Sequence, residues 1–195
     1  LPFSLPKRPH QLFLCGPITD PELQRVLLSV AEICTRIPDI ELVWASKDPL
    51  STAQRTQIEQ SSLNAHIRFL GIISQAEHWA LLASSGLFLS LQIQAQATRQ
   101  IYMAYAAKTP VIAIDTPDTR AVLSSESAGL LISSQDENVL TEAITRLLTD
   151  PHLREQLIAG GTAALNTHVS WKHHIEQLRL TCERAITTPP TSYGT

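Results

Sequence analysis

The stretch from Leu87 to Asp115 (LFLSLQIQAQATRQIYMAYAAKTPVIAID) limits this chain to a small set of architectures. Two apolar runs, Leu87-Phe88-Leu89 and Val111-Ile112-Ala113-Ile114, flank a segment with helical spacing from about Thr98 to Ala107. Strand, helix and strand with short joints form the repeating unit of a parallel sheet. Ligands in such sheets sit at the carboxyl ends of the strands, against helix N-termini. The turn from Ser90 to Thr98 is therefore where a site is sought first, and it contains no Asp, Glu, His or Cys.

The same alternation extends in both directions. Gln11 to Cys15 reads as a strand, and Asp20-Pro21 as an N-cap with proline at the first helical position, opening a helix to about Ile37. Ile40 to Ala45 is a second strand, Ser51-Thr52 opens a helix to about Asn64, and Ile67 to Gly71 is a third strand. Ser74 caps a helix through Ser84, with Glu77 completing a capping box. Past the central unit come a short helix from Thr119 to Ser124 and a strand from Gly129 to Ile132. Helices at about Glu137–Leu148, Pro151–Ala159 or beyond, and Ser170–Ile186 finish the chain. Near-continuous apolar strands are buried on both faces. The expectation is thus an α/β fold: a doubly wound, mostly parallel, six-stranded Rossmann-like sheet. Residues 1–10, with three prolines, read as a linker-like segment, 11–186 as one domain, and 187–195 as a polar tail.

Composition removes several classes of function. A net charge of −3 gives no electrostatic case for nucleic acid or an anionic membrane. No apolar run approaches the roughly 18 residues of a membrane span, and no signal-peptide pattern opens the chain. Cys15, Cys34 and Cys182 are widely spaced, and they read as reduced thiols of a cytoplasmic protein. His173-His174 are adjacent on a helix and point apart, so no metal site and no metal cofactor is expected. Glu126 with Ser124-Ser125 lacks the GxSxG elbow of a hydrolase.

Several passages together resemble the C-terminal, nucleotide-sugar-binding lobe of a GT-B glycosyltransferase, most closely glycosyltransferase family 4 (group 1). They are Ile67–Gly71 with the helix after Ser74, Thr109-Pro110-Val111-Ile112-Ala113, and Ala128-Gly129-Leu130-Leu131-Ile132. Asp136 to Leu148, Asp150-Pro151 with Leu153-Arg154, and Val169-Ser170-Trp171 complete the set. The resemblance covers about Gln11 to Ile186 and implies one lobe of a GT-B fold. It also implies a partner: the missing N-terminal lobe or a partner glycosyltransferase. An apolar stripe of Ile175, Leu178, Cys182 and Ile186 would serve that association.

The family's donor motif, of the form PSxxEGFGxxxxEAMAxGxP, lays over this chain without a gap when anchored on Thr109-Pro110. Its two glutamates, which the resemblance assigns to the sugar hydroxyls and the ribose, fall on Ala95 and Met103. Its phosphate-approach glycines fall on Gln96 and Thr98, and a third glycine on Lys108. The family's DxGG turn reads Asp115-Thr116-Pro117-Asp118, and Gly16 is followed by Pro17 with no lysine beside it. Neither Ala95 nor Met103 can accept the strong hydrogen bonds of a carboxylate, and such a loss costs discrimination on the order of 10⁴-fold.

Two functions follow. One is a glycosyltransferase-like lobe with a decayed nucleotide-sugar site, acting as a binding or assembly module without catalytic residues. The other is the donor-binding half of a hexosyl-transferring enzyme whose acceptor site lies on another lobe. For the second, Thr98, Arg99, Lys47 and Gln96 are the candidate donor or phosphate-binding residues, with a nucleotide sugar as ligand. Against them stands the reading of Arg99 and Lys108 as solvated surface charges. The polar alternation Ser90, Gln92, Gln94, Gln96 offers either ligand contacts or side chains that satisfy their own backbone. Of Tyr102, Met103 and Tyr105, at least one belongs to the core.

Overall fold

The computed structural model describes residues 6–92, 96–123, 127–133 and 137–168. The order is β1 (Arg8–Cys15), α1 (Asp20–Cys34), β2 (Glu41–Ala45), α2 (Thr52–Gln60), β3 (Ile67–Gly71), α3 (Gln75–Ser84) and β4 (Ser85–Ser90). Then follow α4 (Gln96–Ala106), β5 (Val111–Ile114), α5 (Pro117–Val122), β6 (Leu130–Ile132), α6 (Glu137–Thr149) and α7 (Pro151–His168). The expected helix at Ser170–Ile186 and the tail 187–195 lie outside the described residues. No helix among the described residues is long and apolar enough to cross a membrane.

Six strands form one sheet in the order β3-β2-β1-β4-β5-β6, parallel at every pairing. Register brings Phe13 beside Val43 on one side and Phe88 on the other. Because side chains alternate along a strand, Leu12 and Leu14 feed one core and Phe13 the other, and all three are fully buried. The first core joins α1 and α6 to the sheet through Leu23, Val30, Ile144 and Leu147. The second joins α3, α4 and α5 through Leu82, Ile101, Tyr105 and Val122. Each fully buried side chain of this size contributes roughly 2 kcal/mol.

α7 belongs to both cores. Leu153 and Leu157 pack into the first, Ala164 and Leu165 against the second. Its passage depends on Gly160-Gly161. A Cβ at Gly160 would lie 1.9 Å from the Ser127 carbonyl oxygen, and one at Gly161 would lie 2.4 Å from the Tyr105 ring.

The structure departs from the sequence expectations in several places, among them α5, which starts at Pro117 behind the Thr116 cap instead of at Thr119, and α2, which ends at Gln60. β1 begins at Arg8, inside the proline-bearing opening, because Arg8 pairs with Ser85 at the start of β4. The N-cap of α1 is Thr19, not Asp20: its hydroxyl accepts from the Glu22 N–H at 3.4 Å while the Glu22 carboxylate accepts from the Thr19 N–H at 2.6 Å. β3 is not buried on both faces. It is an edge strand, so Ile67 and Phe69 pack inward while Arg68 and Leu70 are exposed.

α4 closes with a left-handed residue. Lys108 has φ +54°, the Lys108 N–H donates to the Tyr105 carbonyl at 3.0 Å, and the Thr109 N–H donates to the Ala104 carbonyl at 2.9 Å. This pair of bonds is the helix-ending arrangement that glycine favours, at the position where the resembled family has its glycine. Lys108→Gly removes the left-handed penalty, and urea unfolding is expected to show a gain of about 1 kcal/mol.

Candidate functional site

A cleft of about 470 Å³ opens at the carboxyl ends of β1 to β4. Cys15, Gly16 and Pro17 leave β1 into it, Ser46 and Lys47 leave β2, and Gly71 to Gln75 carry the chain from β3 into α3. Gln92 follows β4, while His78 from α3 and Arg99, Gln100 and Met103 from α4 close the opposite wall. Neither Asp nor Glu is among these lining residues.

Gly16 lies at the centre of the strand-end turn. Its φ of +100° is one that L side chains rarely adopt. A Cβ there would sit 1.1 Å from the Gln92 Nε2 atom. Both backbone groups of Gly16 are engaged: its N–H donates to the Ala45 carbonyl at 2.7 Å, and its carbonyl accepts from the Trp44 indole at 2.8 Å. Gln92, only 5% exposed, donates from Nε2 to the Cys15 carbonyl at 2.5 Å. The flank that a glycine leaves open for a ligand is therefore filled by this chain's own carboxamide.

Two side chains of the opposite wall carry unpartnered polar atoms shut off from solvent. His78 Nε2 and Gln100 Oε1 are buried and have no hydrogen-bond partner. Gln100 spends its donor on Cys15 Sγ at 3.3 Å, while the His78 ring rests edge-on against Phe13 at 5.4 Å. Burial, and next the nearby Arg99 guanidinium, hold the His78 imidazole below its ordinary pKa. Burial pushes the Cys15 thiol up to about 11, so it is a poor nucleophile.

Of the candidate residues, Lys47 and Arg99 both line the cleft, and Met103 forms part of its wall while packing on the second core. Thr98 lines a neighbouring groove with Trp79, Tyr102 and Leu165, beside Arg99 and Met103. Ala95 and the side chain of Gln96 lie outside the described residues, as do Gln94, Cys182 and the His173-His174 pair. Tyr105 is the core member of the aromatic set, 3% exposed, and Tyr102 packs edge-on against it. Ser90 is buried in β4, and its hydroxyl has no partner. Sequence reading did not place Cys15, Ser74, Gln75, His78 or Gln100 in the site: Cys15 was read as a reduced thiol and Ser74 as a helix cap, and the ends of the neighbouring strands were the one available signal. Among the described residues, no three His, Cys, Asp or Glu side chains come together as a metal site.

The sequence profile described as glycosyl transferases group 1 matches residues 19–163. The chain is 29% identical over 136 residues to a phosphatidyl-myo-inositol mannosyltransferase of Mycobacterium leprae (strain TN), covering 69% of this chain and 36% of that protein. It thus spans little more than a third of that relative's length. Its fold is similar to that of S. aureus TarM, crystallised as a mutant with fondaparinux, alpha-GlcNAc-glycerol and UDP. The TM-score there is 0.74 at 13% identity, over 91% of this chain and 36% of TarM. The C-terminal domain of LpcC, a group 1 family protein from Francisella tularensis, matches with a TM-score of 0.70 at 15% identity, over 86% of this chain and 89% of that one.

Two outcomes test this geometry. Gly16→Ala meets both the φ penalty and the Gln92 amide, so urea unfolding is expected to show a loss of about 2–4 kcal/mol. In a Gln92→Ala background the steric part disappears and the cost of Gly16→Ala falls to about 1–2 kcal/mol. Separately, the depressed His78 pKa means that the unfolded state binds a proton near 6.5 while the folded side chain stays neutral. Stability from this group is therefore lost as pH falls below that value. Unfolding at about pH 7.5 and about pH 5.5 should show a smaller acid loss in His78→Gln than in the parent.

Proposed function

The chain belongs to the glycosyl transferases group 1 family, and on that premise we propose that it is a glycosyltransferase lobe whose nucleotide-sugar site has decayed and which acts as a binding or assembly module. The observation that carries this reading is the carboxylate-free cleft with Met103 on its wall, at a position where the resembled family places a glutamate. A thioether cannot accept the strong hydrogen bonds that a carboxylate offers to sugar and ribose hydroxyls. The filled flank of Gly16 supports the same reading, because a diphosphate would find neither space nor a free N–H there. Its partner would be an N-terminal lobe or an active glycosyltransferase. The free thiols Cys15 and Cys34 suit a reducing cytoplasm.

One observation favours the second reading, the donor-binding half of a sugar-transferring enzyme. Lys47 and Arg99 line the same cleft, and two cations can neutralise a phosphate even without carboxylates to grip the sugar. In this reading Thr98 and Gln96 would assist at the start of α4, and catalysis would require an acceptor-binding lobe. Transfer of a hexosyl group would then be read on the full two-lobed protein.

Calorimetry with UDP-, GDP- and ADP-sugars separates the two. The expected outcome is no sugar-dependent affinity in the micromolar range. Micromolar binding that depends on the sugar, and that Arg99→Ala abolishes without unfolding the protein, would establish the donor-binding reading instead.

A further inference from the structure

The sheet ends on one side at β3, and among the described residues no strand pairs with the outer side of that strand. Leu42 donates its N–H to the His66 carbonyl at 2.7 Å. Backbone groups alternate in direction along a strand, so Arg68 and Leu70 also turn theirs toward β2, while Ile67 and Phe69 turn theirs to the open edge. An unpaired edge of this kind is a template for another strand. This one carries neither proline nor lysine to discourage pairing.

The face beside the edge is apolar in its middle and oppositely charged at its ends. A groove between β3 and α3 is lined by Arg68, Leu70, Ile72, Glu77, Ala80 and Leu81. Leu70 is 36% exposed and Ile72 81%. At the amino end of β3 the Glu41 carboxylate is shared by Arg68, at 3.3 Å, and Arg8, at 3.8 Å, so one acidic group serves two guanidinium groups. Past the carboxyl end, in the first turn of α3, Glu77 accepts from the Ser74 N–H at 2.7 Å. It has no cation partner among the described residues.

A surface that is positive at one end, apolar in the middle and negative at the other fits itself when turned end for end. We infer that this edge pairs with the β3 edge of a second copy of the chain, antiparallel about a two-fold axis through Phe69, joining two six-stranded sheets into one. Phe69 then exchanges N–H and C=O bonds with the partner's Phe69, and Arg68 lies across from the partner's Leu70 on the same face. That position brings its guanidinium to the partner's Glu77, and the two-fold makes the contact twice. A parallel partner strand would instead set Arg68 beside the partner's Arg68, like charge on like. The inference is independent of whether the nucleotide-sugar site works.

Sedimentation velocity on this chain over a range of concentrations tests it. The parent should form a dimer with Kd in the micromolar range. Leu70→Arg, at an exposed position, should weaken that dimer about tenfold or more. Arg68→Glu and Glu77→Arg each set like charges face to face and should do the same, whereas the double variant Arg68→Glu with Glu77→Arg should return to within about threefold of the parent. Hydrogen exchange should show the Phe69 amide protected at high concentration and unprotected on dilution. A parent that stays monomeric overturns the inference. So does a dimer untouched by Leu70→Arg, a double variant that fails to recover, or Phe69 amide exchange that ignores concentration.

Discussion

The parallel hydrogen-bond ladder through β2, β1, β4 and β5 is the constraint from which the rest follows. These strands lie between two layers of helices, with Leu12, Phe13, Leu14, Val43, Phe88 and Ile112 fully buried. Backbone groups at that depth have only neighbouring strands as partners. Parallel pairing in turn requires a crossover helix between successive strands, which places helices on both faces and every carboxyl end along one edge. From β1 the chain proceeds toward β2 and from β4 toward β5, in opposite directions across the sheet. The cleft opens between them, so its position is a product of topology before any side chain is chosen.

The side chains in that cleft follow a different logic from the backbone beneath them. Gly16 retains a left-handed conformation although its open flank is filled by Gln92. Lys108 adopts the left-handed end of α4 at the position where the resembled family has glycine. In both places the backbone path is held by backbone hydrogen bonds and not by the side chain laid over it. Backbone geometry is held by ladders and helix ends that many residues share, whereas recognition of a sugar or ribose hydroxyl depends on one side chain. Met103 packs against the second core and also forms part of the cleft wall.

The order and type of the described elements were legible because apolar runs, Ser74 with Glu77, and the helical spacing of Leu23, Val26, Leu27 and Val30 agree with one another. The edge position of β3 was not legible, since a strand's neighbours are set by the whole sheet and not by its own residues. Thr19 and Asp20 are both good caps, and the choice fell to the residue three positions before Glu22, which closes the reciprocal bond. For the cleft, Lys47 and Arg99 were readable as charges near strand and helix ends. Gln92 was readable only as polar: its contact with Cys15 joins residues far apart in sequence, which no local pattern encodes. His78 and Gln100 acquire their meaning from losing water and partners together, a property of packing.

α7 passes from one core to the other at Gly160-Gly161, with Leu157 on one side and Leu165 on the other. A helix shared in this way ties the fates of the two hydrophobic layers. Peeling it from either layer exposes apolar surface of both. The sheet alone would permit two loosely linked halves. This helix therefore couples the two layers energetically although none of its residues lines the cleft at the strand ends.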